Sequence, residues 1–395
     1  MIKQRIKSKI ATLVRRLSGI QDNNPARSPF PFIQNVNRDL RKNTQPRVLI
    51  SYITAPFEKN IDGKSFHTNQ KEAVQLLQVF IARNFAVDIC HCLEEVALPE
   101  IIQKKYDVVF GFGKAFAAAC KANPKAIKIM YCTEAYPDFV KKQEQERLAY
   151  YHQRYGKEIQ VSRHGKFYLP EHFLEADYLL YKGNHVTGQT FATLKHIKAF
   201  FPIAPAPFVN HNYQATERNI ESTKKNFVWF GSYGAVHKGL DILVDIFNEH
   251  PEWQLSVCGL WKEEIPLLPE MKNNIKVYGF MDTSSEEFID LVNSHSFVVL
   301  STCSEGMSSG VLTCMVHGLI PLVSHESGID LNNKEQYFED FHLKHIEKKL
   351  LEWTEKPDKE LLQLHHETFE QSRRNYNLEV FTATFDRHLQ SCLQA

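Results

Sequence analysis

Short apolar runs alternate with longer stretches of helical period along this chain. Arg47–Ile53, Ala86–Cys92, Asp107–Phe110, Ala126–Cys132 and Ala176–Tyr181 read as strands, each bounded by polar or glycine-containing segments. Between the first two, Ala73, Leu76, Leu77, Phe80 and Ile81 recur at helical spacing and predict a helix over about 70–83. An Ala-rich helix follows Gly111-Phe112-Gly113, and a long, charged helix is predicted over about 138–155. After a break the alternation resumes, with strands at Asn226–Phe230, Gln254–Cys258, Ile275–Tyr278, Phe297–Leu300 and Leu319–Val323. Leu240, Leu243, Val244 and Phe247 make a helical stripe between the first two of these, and Thr283-Ser-Ser-Glu286 has the spacing of a capping box. Nearly continuous apolar strands that alternate with helices predict parallel sheets covered on both faces.

The break sets the organisation. Phe200–Pro207 is rich in Pro and Ala, and Asn210–Lys225 is polar without period, so a boundary is placed there. The reading is an N-terminal helix and linker (1–46), a first α/β unit (47–210), a linker (211–225), a second α/β unit (226–375) and a terminal helix (376–395) with Phe381, Phe385 and Leu389 on one face. The 395 residues suffice for two cores.

Charge changes the picture mainly by exclusion. Lys and Arg total 47 against 46 Asp and Glu, so no global field favours nucleic acid. The eight cysteines are scattered, which suits a reducing cytoplasm; Cys90-His91-Cys92 lacks a second ligand pair, and no metal is assigned. Ile6, Ile10, Leu13, Val14 and Leu17 share a helical face flanked by basic residues, so 1–19 can lie on an anionic membrane surface at the cytoplasmic face, or dock on its own unit or fray. The charged tail beyond Asn333 carries His342, His345, His365 and His366, all read as surface.

Candidate chemistry concentrates in two loops. From Ser296 to Ser324 the order is strand, small polar loop, short helix, strand, which leaves the N–H groups of Ser309, Gly310 and Val311 at a helix N-terminus beside a strand end, with Glu305 and Gly306 at the strand exit. The second loop follows Asn226–Phe230 and runs through Gly231 and Ser232 to Lys238-Gly239. Together these segments resemble the donor-site motifs of retaining GT-B glycosyltransferases of the family 4 (group 1-like) type. The resemblance covers about 226–330 well and the first unit mainly by strand order. It implies two Rossmann-like domains facing across a cleft, with a C-terminal helix crossing back. It further implies a sugar moved from a nucleotide-sugar donor to a glycan or lipid-linked acceptor in polysaccharide or glycoconjugate biosynthesis, with no separate cofactor.

On that resemblance Glu305 lies near the transferred sugar and Lys238 binds the diphosphate, helped by His237 and loop N–H groups. Gly231, Ser232, Gly306, Ser308, Ser309, Gly310, Thr313 and Phe280 complete the donor site. This chain departs from the pattern twice: Ser232 stands where an Arg is usual, and Thr313 where a second Glu holds the ribose. Trp253, Trp261 and Phe280 are aromatics for the base or for the core. Glu134, after the fourth strand, is a candidate site residue or caps or bridges the charged helix, while His67 and Asn69 can reach substrate, with Thr68 or Asn69 capping a helix as the alternative. Gly111 and Gly113 are assigned to turn geometry. A nucleotide-sugar epimerase and a non-catalytic binding protein on the same scaffold are the alternatives.

Overall fold

The computed structural model describes residues 30–37, 45–58, 68–160, 163, 165, 167–209, 213 and 218–394. The amphipathic segment 1–19, Gly63 and His67 lie outside them. Among the described residues, twelve strands form two six-stranded sheets in which every strand pairing is parallel. The first comprises β1 (Arg47–Tyr52), β2 (Ala86–His91), β3 (Val108–Gly111), β4 (Ile127–Cys132), β5 (Tyr178–Lys182) and β6 (Ala199–Ile203), in the order β2-β1-β3-β4-β5-β6. The second comprises β7 (Asn226–Phe230), β8 (Gln254–Cys258), β9 (Ile275–Gly279), β10 (Phe297–Leu300), β11 (Ile320–Ser324) and β12 (Tyr337–Phe338), in the order β12-β11-β10-β7-β8-β9. Each sheet has its own apolar core. Parallel strands need covered faces, and β3, β10 and β11 are buried from end to end.

Two strands escape a sequence reading. β6 is an edge strand with an exposed Phe200 and with Pro202 inside it, so its period and its missing N–H both look like a break. β12 has only two residues. The charged helix forms over Pro137–Tyr155, but Glu144, Arg147 and Tyr151 on it are buried. Arg147 forms an ion pair with Asp241 of the helix Leu240–Glu249, both side chains fully buried, and Arg154 pairs with Asp241 and Asp245. This contact joins the two units.

The helix predicted near Thr283 begins at Glu286, where the Ser285 hydroxyl accepts the Phe288 N–H; Asp282 instead holds the turn through Ser284. His365 is buried, with Nδ1 on the Gly318 carbonyl, because the helix Asp358–Asn375 packs against the second sheet. His342 and His345 are exposed but not isolated, since both contact Asp340. The last helix, Leu378–Gln394, crosses back to the first sheet: Phe385 meets Phe80 and Phe110 edge-on at 5.7 and 5.4 Å, and Asp386 pairs with Arg83 at 2.6 Å. No helix among the described residues is long and apolar enough to cross a membrane.

Candidate donor site at the sheet junction

The carboxyl ends of the two sheets face each other, and Gly306 lies where they meet. A Cβ on Gly306 would overlap the carbonyl oxygens of Thr133, just after β4, and Lys182, at the end of β5. Its own carbonyl accepts the Thr187 hydroxyl of the first unit at 2.9 Å. Only glycine permits so close a backbone approach. The same contact carries the neighbouring Glu305 into the junction.

Lys238 reaches Glu305 from the β7 loop. Gly239, at φ +73°, turns the chain tightly against Ser301 after β10, where a Cβ would overlap the Ser301 side chain. Lys238 Nζ then lies 2.8 Å from Glu305 Oε1, with the two side chains only 7% and 9% exposed. Three cations surround the carboxylate. Burial works against its charge, but Lys238, Arg163 and His237 outweigh burial and hold the Glu305 pKa at about 2. Burial lowers the pKa of Lys238, and the Glu305 charge opposes that shift.

Arg163 and His237 form the surrounding frame. Arg163 Nη2 lies 2.6 Å from Glu134 and 3.9 Å from Glu305, while Nη1 donates to the Tyr233 carbonyl at 3.0 Å. His237 Nδ1 lies 3.3 Å from Glu144 and Nε2 lies 2.6 Å from the Ser304 carbonyl, so both ring nitrogens face acceptors, an arrangement suited to an imidazolium. Burial opposes that charge, yet Cys303 and Glu144 raise the His237 pKa to about 10. Glu134, Glu144 and Arg163 come from the first unit; Lys238, His237 and Glu305 come from the second.

The remaining residues are placed less uniformly. Ser308 precedes the helix Ser309–Met315, whose start abuts β7 so closely that a Cβ on Gly310 would overlap the Phe230 carbonyl. Gly231 follows β7 at the same end, and Ser232 is exposed. Thr313 is buried and its hydroxyl donates to the Ser309 carbonyl at 2.8 Å, inside its own helix. Phe280, just after β9, is 70% exposed, whereas Trp253 is core and Trp261 meets Tyr233 edge-on. His237 is held by Glu144 and Ser304, and the N–H groups of Gly234 and Ala235 donate to the Glu264 carboxylate at 2.9–3.1 Å.

Gly111 and Gly113 have positive φ, and a Cβ on either would meet backbone, which is turn geometry. Cys90 and Cys92 are separate buried thiols, and burial pushes Cys90 up to about 12. Asn69 lies in the first turn of the helix Thr68–Ala82. Arg163, Glu144 and Glu264 carry no motif that marks them in the sequence.

Solved structures show the same architecture. Sucrose-phosphate synthase from Thermosynechococcus elongatus aligns with a TM-score of 0.57 at 11% identity, over 89% of this chain and 99% of that one. The chain has the GT-B fold. HepE from Anabaena, solved with UDP and glucose, aligns at 0.56 and 9% identity, covering 88% of this chain and all of that one. A UDP-forming α,α-trehalose-phosphate synthase from Burkholderia vietnamiensis aligns at 0.54 and 10% identity, covering 88% and 100%. No family model and no curated protein sequence matches the chain. At these identities the likeness concerns the fold.

Proposed function

We propose that the chain is a glycosyltransferase that moves a sugar from a nucleotide-sugar donor to a glycan or lipid-linked acceptor, with retention, in polysaccharide or glycoconjugate biosynthesis. The observation that carries this reading is the buried Glu305–Lys238 pair, 2.8 Å apart, at the junction of two facing parallel sheets. Ligands of open α/β sheets bind beyond the carboxyl ends of the strands. Neighbours of the same fold include a sucrose-phosphate synthase and a UDP-forming α,α-trehalose-phosphate synthase, and HepE was solved with UDP and glucose.

The chemistry follows from the charges. As the glycosidic bond breaks, positive charge develops on the sugar and negative charge on the departing diphosphate. Lys238 stabilises the diphosphate electrostatically, and the partly exposed start of the helix Ser309–Met315 adds backbone donors. With a pKa of about 2, Glu305 is ionised at neutral pH, so it accepts hydrogen bonds from sugar hydroxyls and does not act as a proton donor. Phe280 offers an exposed ring to the base. The nucleotide-sugar enters as substrate, and side-chain cations balance its charge without a separate cofactor. The protein acts in the cytoplasm.

The test is to incubate the purified protein with UDP-, GDP- and ADP-linked sugars and glycan or polyprenyl-phosphate acceptors, following nucleoside diphosphate release and the anomeric configuration of the product. Release coupled to a new α-glycoside from an α-linked donor supports the reading. An epimerised donor, or no consumption of any donor, overturns it.

A further inference from the structure

We propose that Arg163 is the second cation of the diphosphate site, supplied by the first unit across the junction. This rests on the donor site described above. A nucleoside diphosphate carries more than one negative charge, and the β7 loop presents Lys238 while Ser232, on the same loop, is exposed and uncharged. Arg163 brings a second cation to the Lys238–Glu305 pair from the first unit. Its Nη2 and Lys238 Nζ approach opposite oxygens of one carboxylate, Glu305, at 3.9 and 2.8 Å, so the two cations already flank a single small anion. Its stem runs along the β7 loop closely enough that a Cβ on Gly234 would lie 2.8 Å from Arg163 Cδ. Its other nitrogen donates to the Tyr233 carbonyl and its backbone N–H to Glu144, which fix the direction of the fork.

A planar guanidinium offers paired donors that match phosphate oxygens, which the ammonium of Lys238 does not. Among the described residues, Arg163 faces Glu134 and Glu305, Lys238 faces Glu305, His237 faces Glu144, and Glu264 holds the Gly234 and Ala235 N–H groups of the same loop. A bound diphosphate takes the place of Glu305 between the two cations and leaves that carboxylate to the sugar. Glu134 and Tyr233 keep the guanidinium in place. Because Arg163 belongs to the first unit and Lys238 to the second, one diphosphate ties both units together.

The experiment is calorimetric titration of UDP, GDP and ADP, and of the matched nucleosides, into the full-length parent, Arg163→Gln, Arg163→Lys and Lys238→Ala. Arg163→Gln should weaken the preferred diphosphate by about tenfold or more while leaving the nucleoside unchanged, a selectivity that general loosening of the structure does not produce. Arg163→Lys keeps the charge without the fork and should fall between. It carries the test alone if Arg163→Gln fails to give a cooperative thermal transition, with loss of diphosphate affinity again the supporting result. Parental diphosphate affinity in a folded Arg163 variant overturns this inference; if Lys238→Ala is weakened in the same series, the donor-site reading stands without it. A parent that binds no diphosphate overturns both.

Discussion

Glu305 shows how a buried carboxylate can stay charged: Lys238, Arg163 and His237 surround it, and together they exceed the penalty of burial. Replacing it with Gln keeps its size and removes the charge that would hold sugar hydroxyls. Turnover, read as nucleoside diphosphate release at saturating donor, should fall by roughly tenfold or more with the fold intact. An unchanged rate would take Glu305 out of the reaction. Lys238 and Glu305 could be singled out in the sequence because each precedes a glycine, Gly239 at a helix start and Gly306 in the loop after β10. Arg163 could not: it lies in a polar stretch without period, and its position depends on contacts to Tyr233 and Glu134, distant along the chain. Thr313 could be read as a departure from a motif, but only the structure shows its hydroxyl engaged within its own helix.

At the scale of elements, the helices Pro137–Tyr155 and Leu240–Glu249 show what patterning conceals. A strongly charged helix ordinarily reads as solvated. Here Arg147 and Asp241 neutralise each other across the two units and are both fully buried, with Arg154 as a second partner. Asp241→Ala leaves Arg147 in the interior without its carboxylate, and should cost about 3–5 kcal/mol in urea denaturation. A loss under about 0.5 kcal/mol, the range of surface substitutions, would show that the contact does not join the units. Strands with uninterrupted apolar runs were legible, whereas β6 was hidden by Pro202 and by its place at an edge. Its assignment depends on pairing with β5, a tertiary fact.

The whole molecule is held together at a charged junction, so its stability should depend on pH. His237 has its pKa raised from an ordinary 6.5 to about 10; its contribution is full below pH 6.5 and is lost as pH rises toward 10. Glu305 is lowered from 4.5 to about 2; its contribution is full above pH 4.5 and is lost as pH falls toward 2. Thermal unfolding should therefore show a declining midpoint above pH 6.5 in the parent, and a smaller decline in His237→Gln. Identical profiles from pH 6.5 to 10 would contradict the imidazolium assignment. The two-sheet architecture was legible from alternation and the C-terminal helix from its one apolar face, while its return to the first sheet came from the resemblance to GT-B proteins. The closeness of the units at Gly306 was not legible, because two backbones in contact leave no pattern beyond a single glycine.

The most direct test of the donor site is the affinity of Lys238→Ala for a nucleoside diphosphate bound by the parent. Loss of a charge-assisted contact predicts weakening by about 1.5–3 kcal/mol, roughly tenfold to more than a hundredfold. Equal affinity in parent and variant would place the phosphate site elsewhere and contradict the account.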